Sequence, residues 1–387
     1  MMASCGSDAA VIRIKEDSLP PQSEADATHR AADDTDHGTP MPHHAPAATA
    51  RQRGESPITP EKLLALTVDC NATYVYLDPY EGAKVAVAEA ARNLACAGAT
   101  PLGTTDNLNF GNPYHPETFW QLREAVRGLA EACRTLNAQI TGGNVSLYNQ
   151  SPNGPIDPTP TVAMVGLIER PDHVTTQWFK DPGDAIILLG GVVDRQDPLS
   201  GLGGSAYLQR IHGLKTGAPP RCDLEGEKEL HLVLRALIHS GVVKSAHDCS
   251  EGGLAVALAE SCISRQIARD TPRLLGASID LSAPASPAEG RGAAGKSTAS
   301  GSEGAAVTRL DAMLFGESQG RILISVAAID AVKVLAQAKI LGLSATRIGA
   351  VGGETLQIKT AAGLLSWDLR ELHDLWWNSI ARAMREA

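Results

Sequence analysis

Aromatic side chains and paired cysteines are both scarce in this sequence. Phe, Trp and Tyr together make up 4% of the chain, whereas there are 37 glycines, so the composition favours close helix packing and tight turns over a large aromatic ligand cage. The seven cysteines are scattered, and none falls in a CxxC pair. This pattern argues against a disulfide framework or a zinc site, and it predicts reduced thiols.

Long apolar runs and net positive charge are also missing. No apolar stretch approaches the length of about 18 residues that a membrane-spanning helix needs, and the N-terminus lacks the basic head and apolar core of a secretion signal. The net charge of −10 argues against nucleic acid as a partner, because binding the phosphate backbone requires a basic surface. We therefore expect a cytoplasmic protein with no nucleic-acid or membrane partner.

The length of 387 residues and the hydrophobic content of 43% allow two or three domains. Residues 9–15 alternate like a short strand, but residues 16 to about 60 carry almost no apolar side chains, which predicts disorder. A second stretch rich in Ala, Gly and Ser interrupts the chain at about 284–307. His37, His43 and His44 lie in the first of these stretches, where we interpret them as part of a solvated linker rather than as a metal-binding tract.

Strands and helices alternate through the remaining sequence, which predicts an α/β (α+β) fold. We expect a mostly disordered segment with one short strand over residues 1–60, an N-terminal α/β domain over 61–172, and a C-terminal α/β domain over 173–387 that contains the insert. The elements predicted for the first domain are strands at 63–69, 74–77, 101–110, 138–140 and 161–168, and helices at 84–98 and from Pro116.

The helix from Pro116 has the clearest periodicity. Its apolar residues step by three and four and therefore predict one buried face, made of Phe119, Leu122, Val126, Leu129, Cys133 and Leu136. The elements predicted for the second domain are strands at 185–190, 245–249 and within 314–326, a turn at 201–205, helices at 226–240, 251–260 and about 329–341, two further short strands, and a C-terminal helix with Trp376 and Trp377.

One nucleotide-binding motif is present in a context that does not suit it. GRGAAGKS at 290–297 satisfies GxxxxGK[ST], the phosphate loop of many nucleotide-binding proteins. A functional phosphate loop follows a buried strand and begins a helix, so that its backbone amides converge on the phosphates. Here PASPAE precedes the motif and TASGSEG follows it, so we predict that it binds no nucleotide.

Two polar, glycine-containing segments are better candidates for a phosphate or metal site. DNLNFGNP at 106–113 and GGNVSLY at 142–148 each follow an apolar run, and we predict both to be loops. Asp106 can bind Mg²⁺ or a ribose hydroxyl, and Asn144 can offer its amide oxygen to the same metal. Glycines such as Gly143 let the backbone approach a phosphate, and Ser146 can donate to a substrate. Ordinary turns stabilised by hydrogen bonds from side chains to the backbone would explain the same composition.

Two further polar segments have a catalytic and a structural interpretation. HDCSEGG at 247–253 offers His, Asp, Cys and Ser at a helix start, but it lacks GxSxG, and we favour helix capping by Ser250 with glycines that allow close packing. ESQGR at 317–321 has the polar content of an anion-binding turn and equally that of a hairpin edge. Asp69 and Lys84 are candidate polar groups near the first loop.

Several of these segments together resemble the second half of phosphoribosylformylglycinamidine synthase of the PurL type. The resemblance rests on YVYLDPYEG at 74–82, AEAARNL at 88–94, DNLNFGNP, GGNVSLYN at 142–149, HDCSEGGLAVALAE at 247–260 and LFGESQGR at 314–321. It covers residues 60 to 383 apart from the insert, and residues 8–15 resemble the strand that precedes this half in the family. The resemblance implies two α/β domains with the fold of aminoimidazole ribonucleotide synthase (PurM-like).

The family's activity is the ATP-dependent conversion of formylglycinamide ribonucleotide to its amidine with ammonia derived from glutamine. By motif, the resemblance implies that Asp106 and Gly143 contact ATP, that Asn144 binds Mg²⁺ and that Ser146 contacts the substrate. The catalytic His belongs to the first half of full-length members, so no catalytic residue is expected here. The implied partners are that first half, as a separate chain or a missing segment, a glutamine amidotransferase subunit and a small PurS-like subunit.

Two other functions remain open from the sequence. The chain could be a different ATP-dependent enzyme of the same superfamily, although DNLNFGNP favours the amidine synthase. It could also be a non-catalytic subunit whose bound nucleotide has a structural role.

Overall fold

The structure is a computed structural model, and it describes residues 8–14, 62–194, 196–268, 271–282 and 309–386. The segments predicted to be disordered or of low complexity, the His37, His43 and His44 group and the GRGAAGKS motif lie outside these residues. No helix in the described part is long and apolar enough to cross a membrane. The six cysteines of the described ranges are free thiols, as predicted.

The first part of the chain forms a five-stranded sheet with the strand order β1-β2-β7-β3-β4. All neighbouring strands are antiparallel except β3 and β4, which are parallel. Its elements are β1 (Ala10–Arg13), β2 (Leu63–Asp69), α1 (Ala72–Leu77), α2 (Pro79–Cys96), β3 (Thr100–Asn109), α3 (Pro116–Thr135), β4 (Ile140–Ser146), β5 (Gln150–Ser151), β6 (Gly154–Pro155) and β7 (Thr159–Ile168).

The second part forms a seven-stranded sheet with the order β16-β15-β12-β14-β8-β13-β9. Its central strands β8 and β13 are buried along their whole length. Its elements are β8 (Ala185–Leu189), α4 (Ala206–His212), α5 (Leu224–His239), β9 (Val243–Asp248), α6 (Gly253–Ile263), β10 (Gln266–Ala268), β11 (Thr271–Pro272), β12 (Ala277–Asp280), α7 (Leu310–Phe315), β13 (Ile322–Val326), α8 (Ala331–Ile340), β14 (Ala345–Val351), β15 (Thr355–Thr360), β16 (Gly363–Asp368), α9 (Leu369–Trp377) and α10 (Ser379–Glu386).

Helix α2 lies at the centre of the molecule. Almost every residue of α2 is buried, because its alanine-rich sequence lets other elements approach from all sides. Most of α2 belongs to the core of the first sheet, whereas Ala95 and Cys96 belong to a core formed with the second sheet and α5. Asp78 begins the helix by accepting hydrogen bonds from the backbone N–H groups of Tyr80 and Glu81. The helix therefore connects the two sheets.

Most predicted elements are confirmed, but residues 74–77 are a correction. The pattern YVYL predicts a strand, and the segment is instead helix α1. The Asn71 side chain caps this helix by accepting from the N–H of Tyr74. A Cβ at Gly82 would lie 2.4 Å from the backbone nitrogen of Val75, so α1 packs directly on the first turns of α2. Capping and packing override the strand propensity of Tyr and Val here. The C-terminal region also has three strands, β14 to β16, where two were predicted.

The buried face of α3 is also shifted from the prediction. Leu129, Cys133 and Leu136 are buried as predicted, but Phe119 and Val126 are 55% and 42% exposed. The face that contacts α2 is made largely of small residues, and a Cβ at Gly128 would lie 2.3 Å from the carbonyl oxygen of Tyr80. Because the periodicity counted only large apolar residues, it missed the small ones that permit this contact.

The revised face of α3 can be tested with two substitutions. We expect Leu129→Ala to lower the free energy of unfolding by about 2–5 kcal/mol, because it removes a buried side chain and leaves a cavity. We expect Val126→Ala to change it by less than about 1 kcal/mol, because that residue is exposed. Urea unfolding monitored by circular dichroism measures both. Similar losses for the two variants would contradict the face seen in the structure.

Candidate functional site

The two segments predicted to be loops are largely a pair of parallel strands. Residues 106–109 belong to β3 and residues 142–146 to β4, with Asp106 paired with Gly143 in the register. The strand predicted at 101–110 is therefore confirmed, whereas the prediction of loops is wrong for residues 106–109 and 142–146, whose polar side chains are on regular strands. Strand β4 forms one edge of the sheet and is exposed over nearly its whole length. The edge presents its backbone groups and side chains to solvent.

Asp106 and Gly143 lie directly against each other. A Cβ at position 143 would be 2.1 Å from Oδ1 of Asp106, so only glycine can occupy this place while the carboxylate keeps its position. Burial raises the pKa of Asp106 above its ordinary value. At Gly142 an added Cβ would meet nothing within 4 Å. The pair therefore forms a backbone surface with one partly buried carboxylate, which suits a hydroxyl group or a polyphosphate approaching the strand.

Asn144 and Ser146 point away from Asp106. Side chains alternate between the two faces of a strand, and Asn144 is paired with Asn107, the residue after Asp106. The amide of Asn144 and the carboxylate of Asp106 are therefore on opposite faces of the sheet. This arrangement contradicts the expectation that both bind one metal ion. Ser146 shares the face of Asn144, and its hydroxyl oxygen lies 3.0 Å from Nδ2 of Asn149.

Asn149 joins the ends of the two segments. Its amide nitrogen donates to the carbonyl oxygens of Ser146 at 2.8 Å and of Phe110 at 3.2 Å. The backbone N–H of Tyr148 donates to Gly111, and Tyr148 adopts a left-handed conformation with φ of 62°. Such a conformation is uncommon for an aromatic residue and needs surrounding hydrogen bonds to maintain it. The predicted proximity of the two segments is confirmed.

A second polar cluster lies where α2 meets β2 and β9. Asn93 donates to Asp69 at 2.8 Å, and Asp248 lies near enough to repel the Asp69 carboxylate. Burial, opposed by a hydrogen bond from Thr67 and aided by repulsion from Asp248, raises the pKa of Asp69 to about 7. Burial and repulsion from Asp248 and Asp69 also raise the pKa of Glu89 well above its ordinary value. We call Asp69, Glu89 and Asp248 the carboxylate cluster.

The carboxylate cluster borders a cavity of about 310 Å³. The cavity is lined by Glu89, His247, Asp248, Ser250, Glu251, Val256, Ala257 and Glu260. Glu89 and Asp248 line this polar cavity, and carboxylate oxygens suit a divalent cation such as Mg²⁺, which would replace bound protons. Asp69 interacts electrostatically with both acids but does not line the cavity, and Lys84 is paired with Glu81 at 3.0 Å.

Arg92 supplies positive charge to this region. Its guanidinium is fully buried and lies 2.5 Å from Glu227, 3.4 Å from Asp248 and 2.9 Å from Gln319. These partners are on α5, on β9 and in the turn before β13, whereas Arg92 is on α2. Although burial opposes it, Arg92 lowers the pKa of Glu227. Two ion pairs and one hydrogen bond therefore tie the helix of the first sheet to three elements of the second part.

His247 is held between carboxylates. Nδ1 lies 2.6 Å from Asp8 and Nε2 lies 2.9 Å from Glu260. Although burial favours the neutral ring, Asp8 and Glu260 raise the pKa of His247 well above its usual range. Asp8, His247 and Asp248 are also close enough together to coordinate one metal ion.

The predicted capping of α6 by Ser250 is wrong. Ser250 donates its hydroxyl proton to Asp248, and the residue at the cap is Gly252, with φ of 79°. The predicted close packing at the glycines is confirmed, because a Cβ at Gly253 would lie 2.5 Å from the carbonyl oxygen of Gly316. The helix therefore begins through backbone conformation and not through a serine cap.

The turn at 317–321 has a structural role. Glu317 is buried and accepts hydrogen bonds from the N–H groups of Ala206 and Gly252 and from the Tyr74 hydroxyl. Arg321 is buried and donates to three backbone carbonyl oxygens. Glu317 in this turn thus accepts hydrogen bonds from backbone N–H groups at the starts of α4 and α6, and its bond to Tyr74 links both helices to α1.

The carboxylate cluster as a whole was missed by sequence reasoning. Glu89 and Asn93 are four residues apart on a helix and so share a face, which was an available signal. Asp69 was noted, but nothing local in the sequence connects it with Asp248, which is 179 residues away in the chain. Only the packing of α2 against both β2 and β9 brings these residues together.

Both parts of the chain match models of known protein families. The model of the AIR synthase related protein N-terminal domain matches residues 51–168, and that of the C-terminal domain matches residues 181–359. Among curated proteins, the phosphoribosylformylglycinamidine synthase subunit PurL of Thermosynechococcus vestitus is 47% identical over 88% of this chain and 42% of its own length. The corresponding subunit of Moorella thermoacetica is 43% identical over 86% and 40%. The chain thus spans less than half the length of these relatives.

Solved structures agree on the fold. T. maritima PurL complexed with FGAR has a TM-score of 0.62 at 19% identity, covering 81% of this chain and 46% of that one. T. maritima PurL complexed with ATP has a TM-score of 0.58 at 18% identity, covering 81% and 44%. These likenesses confirm the predicted two-part α/β architecture, and the curated relatives confirm the PurL resemblance.

The buried ion pairs of Arg92 can be tested by removing the charge. We expect Arg92→Met to lower the free energy of unfolding at pH 7 by about 3–5 kcal/mol, because Glu227 and Asp248 lose their buried counter-ion. The loss should shrink as the pH falls and these carboxylates become protonated. Arg123→Met is the matched control, since Arg123 is 57% exposed beside Glu124 and its loss should cost less than about 1 kcal/mol. Equal costs, measured by urea unfolding at pH 5 and 7, would refute the role of Arg92.

Proposed function

The chain belongs to the AIR synthase related protein family, and we propose that it forms part of an ATP-dependent phosphoribosylformylglycinamidine synthase. The reaction converts formylglycinamide ribonucleotide to its amidine with ammonia derived from glutamine. The observation that carries this proposal is the match to curated PurL subunits across both parts of the chain. The proposal includes a cytoplasmic location and a boundary between the two domains near residue 172.

Within this reaction we assign four residues of β3 and β4 to binding. Asp106 and Gly143 contact ATP, Asn144 binds Mg²⁺ and Ser146 contacts the ribonucleotide substrate. ATP, when bound, supplies the phosphoryl group that converts the amide oxygen into a leaving group. The contact between Asp106 and Gly143 supports their role, because it leaves backbone open beside a carboxylate of raised pKa. The exposed edge strand supports access for ligands of this size.

Mg²⁺ has a second proposed position at the carboxylate cluster. Asp69, Glu89 and Asp248 offer oxygen ligands, and burial together with repulsion from Asp248 raises the pKa of Asp69 to about 7, which favours a group that can take up positive charge. A bound Mg²⁺ neutralises phosphoryl oxygens and carboxylates alike. Support for a cation here comes from the grouping of three acids around one buried region and from the adjoining cavity.

The first half of the synthase is the proposed partner for the outer face of the first sheet. This face carries Ile12, Val68 and Leu102, which are 42%, 66% and 52% exposed, and it surrounds an open hollow of about 460 Å³. Contiguous apolar surface of this kind marks an interaction site. The short span of the chain relative to its relatives supports a first half that lies in another chain or segment and supplies the catalytic His. A glutamine amidotransferase subunit and a small PurS-like subunit complete the proposed assembly.

The activity assay tests whether the chain holds only part of the site. We expect the purified chain to show no ATP-dependent, ammonia-driven amidine formation, and we expect activity when the first half of a relative is added. Val68→Lys should prevent this complementation, because it places a charge on the outer face of the sheet. Ile329→Lys is the control, since Ile329 is 89% exposed and lies before α8. Substantial turnover by the chain alone would contradict the proposal of a partial site.

Thermal unfolding tests the metal position without an activity assay. Because the folded pKa of Asp69 is raised to about 7, the folded protein holds protons that the unfolded chain releases, and stability falls as the pH rises from about 4 through 7. Mg²⁺ replaces those protons, so it should raise the Tm more at pH 8 than at pH 5.5, by roughly 2–4 °C per kcal/mol of binding.

The variants Asp69→Asn and Asn144→Ala separate the two metal positions. Asp69→Asn should abolish most of the Mg²⁺-dependent gain in Tm, whereas Asn144→Ala should leave most of it. The reverse result would assign the stabilising ion to Asn144. A Mg²⁺-dependent rise in Tm that is the same at pH 5.5 and pH 8 would count against Mg²⁺ binding at the carboxylate cluster.

A further inference from the structure

A short hairpin lies beside the ends of β3 and β4. It consists of β5 and β6, which are joined by the two-residue turn of Pro152 and Asn153. Both turn residues are exposed to solvent. Each strand has only two residues, so few backbone hydrogen bonds oppose a change in the conformation of the turn.

Asn153 differs from the other asparagines of the chain. Of the ten asparagines in the sequence, it alone is followed by glycine. Its backbone N–H donates to Oγ of Ser151 at 3.2 Å, but its side-chain amide has no hydrogen-bond partner among the described residues. By contrast, the side-chain amide nitrogen of Asn149 donates to three oxygen atoms. The Asn153 side chain is therefore free to turn toward the backbone nitrogen that follows it.

Gly154 offers this backbone nitrogen without a side chain beside it. Its φ is 120°, in the region that favours glycine, and an added Cβ would meet nothing within 4 Å. Every other asparagine in the sequence is followed by a residue that has a Cβ, which crowds the nitrogen during ring closure. A five-membered ring between the Asn153 side chain and the Gly154 nitrogen can therefore form with little steric hindrance.

We propose that Asn153 is a site of spontaneous deamidation through a cyclic imide. The backbone nitrogen of Gly154 loses its proton and attacks Cγ of Asn153, so that a new C–N bond forms. The bond from Cγ to Nδ2 breaks, and this nitrogen gains a proton and leaves as ammonia. Water then opens the imide at either of its carbonyl carbons, which gives aspartate or isoaspartate. The reaction needs only the turn and water, so it does not depend on the proposed synthase activity.

The isoaspartate product alters the hairpin that packs on the candidate site. In this product the main chain passes through the side chain of residue 153 and gains one methylene group. A Cβ at Gly111 would lie 2.7 Å from Cβ of Pro155, and the N–H of Ile156 donates to the carbonyl oxygen of Asn149 at 3.1 Å. The longer main chain should shift Pro155 and weaken the bond to Asn149. The aspartate product adds a negative charge but leaves the length of the main chain unchanged.

Incubation of the full chain at pH 8 and 37 °C, followed by peptide mass spectrometry, tests the reaction. We expect Asn153 to convert to an acid at least about tenfold faster than Asn378, because Ser379 has a Cβ and Gly154 has none. Asn378 is a matched control, since its Nδ2 donates to Oδ1 of Asp374 at 2.6 Å. The rate at Asn153 should rise from pH 6 to pH 8, because the attacking nitrogen must lose its proton. Equal rates at the two asparagines would overturn the proposal.

Two variants separate the ring chemistry from the added charge. Asn153→Gln should show no conversion at this position, because it would need a six-membered ring that closes far more slowly. Hydrogen exchange at the N–H of Ile156 should become several-fold faster in the incubated chain that contains isoaspartate, and it should stay nearly unchanged in Asn153→Asp. Circular dichroism checks that both variants are folded. Comparable conversion in Asn153→Gln would overturn the cyclic imide, and equal exchange in Asn153→Asp and the isoaspartate chain would overturn the effect assigned to isoaspartate.

Discussion

The buried charge of Arg92 is the constraint on which the arrangement of the two sheets depends. A fully buried guanidinium needs partners for its donors, and here they come from α5, β9 and the turn before β13. Each of these elements belongs to the second part of the structure, whereas Arg92 is on the central helix of the first. Moving the two sheets apart would separate Arg92 from Glu227 and Asp248. The loss of these buried ion pairs would lower the free energy of unfolding by several kcal/mol. The ion pairs thus specify the orientation more than they add net stability.

The small residues of α2 make this arrangement possible. Because six of the eighteen residues of α2 are alanine and another is glycine, the first sheet, α3 and α5 can all pack closely against the helix. Glu89 and Asn93 can therefore reach β2 while Arg92 reaches β9 from the neighbouring position. A helix with larger apolar residues would hold these partners farther away. The same packing that buries the core also assembles the carboxylate cluster.

Much of the fold could be predicted from the sequence, and less of the candidate site. Strand-forming residues predicted the strand at 63–69, and the strand predicted at 161–168 is confirmed as well. The same rule failed at 74–77, where Asn71 and the contact with Gly82 decide in favour of a helix. DNLNFGNP and GGNVSLY were recognised as a pair, but their regular strand pairing was not, since Asn and Gly are typical of turns. The carboxylate cluster depends on contacts between distant segments, which no local pattern encodes.

Three features of the structure carry an energetic cost that a bound ion or a partner protein would reduce. The carboxylate cluster buries several acids beside one another, and burial together with their mutual repulsion raises the pKa of Asp69, Glu89 and Asp248. The outer face of the first sheet exposes apolar side chains such as Val68 and Leu102 to water. Strand β4 leaves one edge of the same sheet unpaired in the described structure. A cation relieves the first cost, and a protein surface relieves the other two. Since Asn144 and Ser146 share the outer face with Val68, whereas Asp106 is on the face that the helices cover, a partner on the outer face would also cover Asn144 and Ser146.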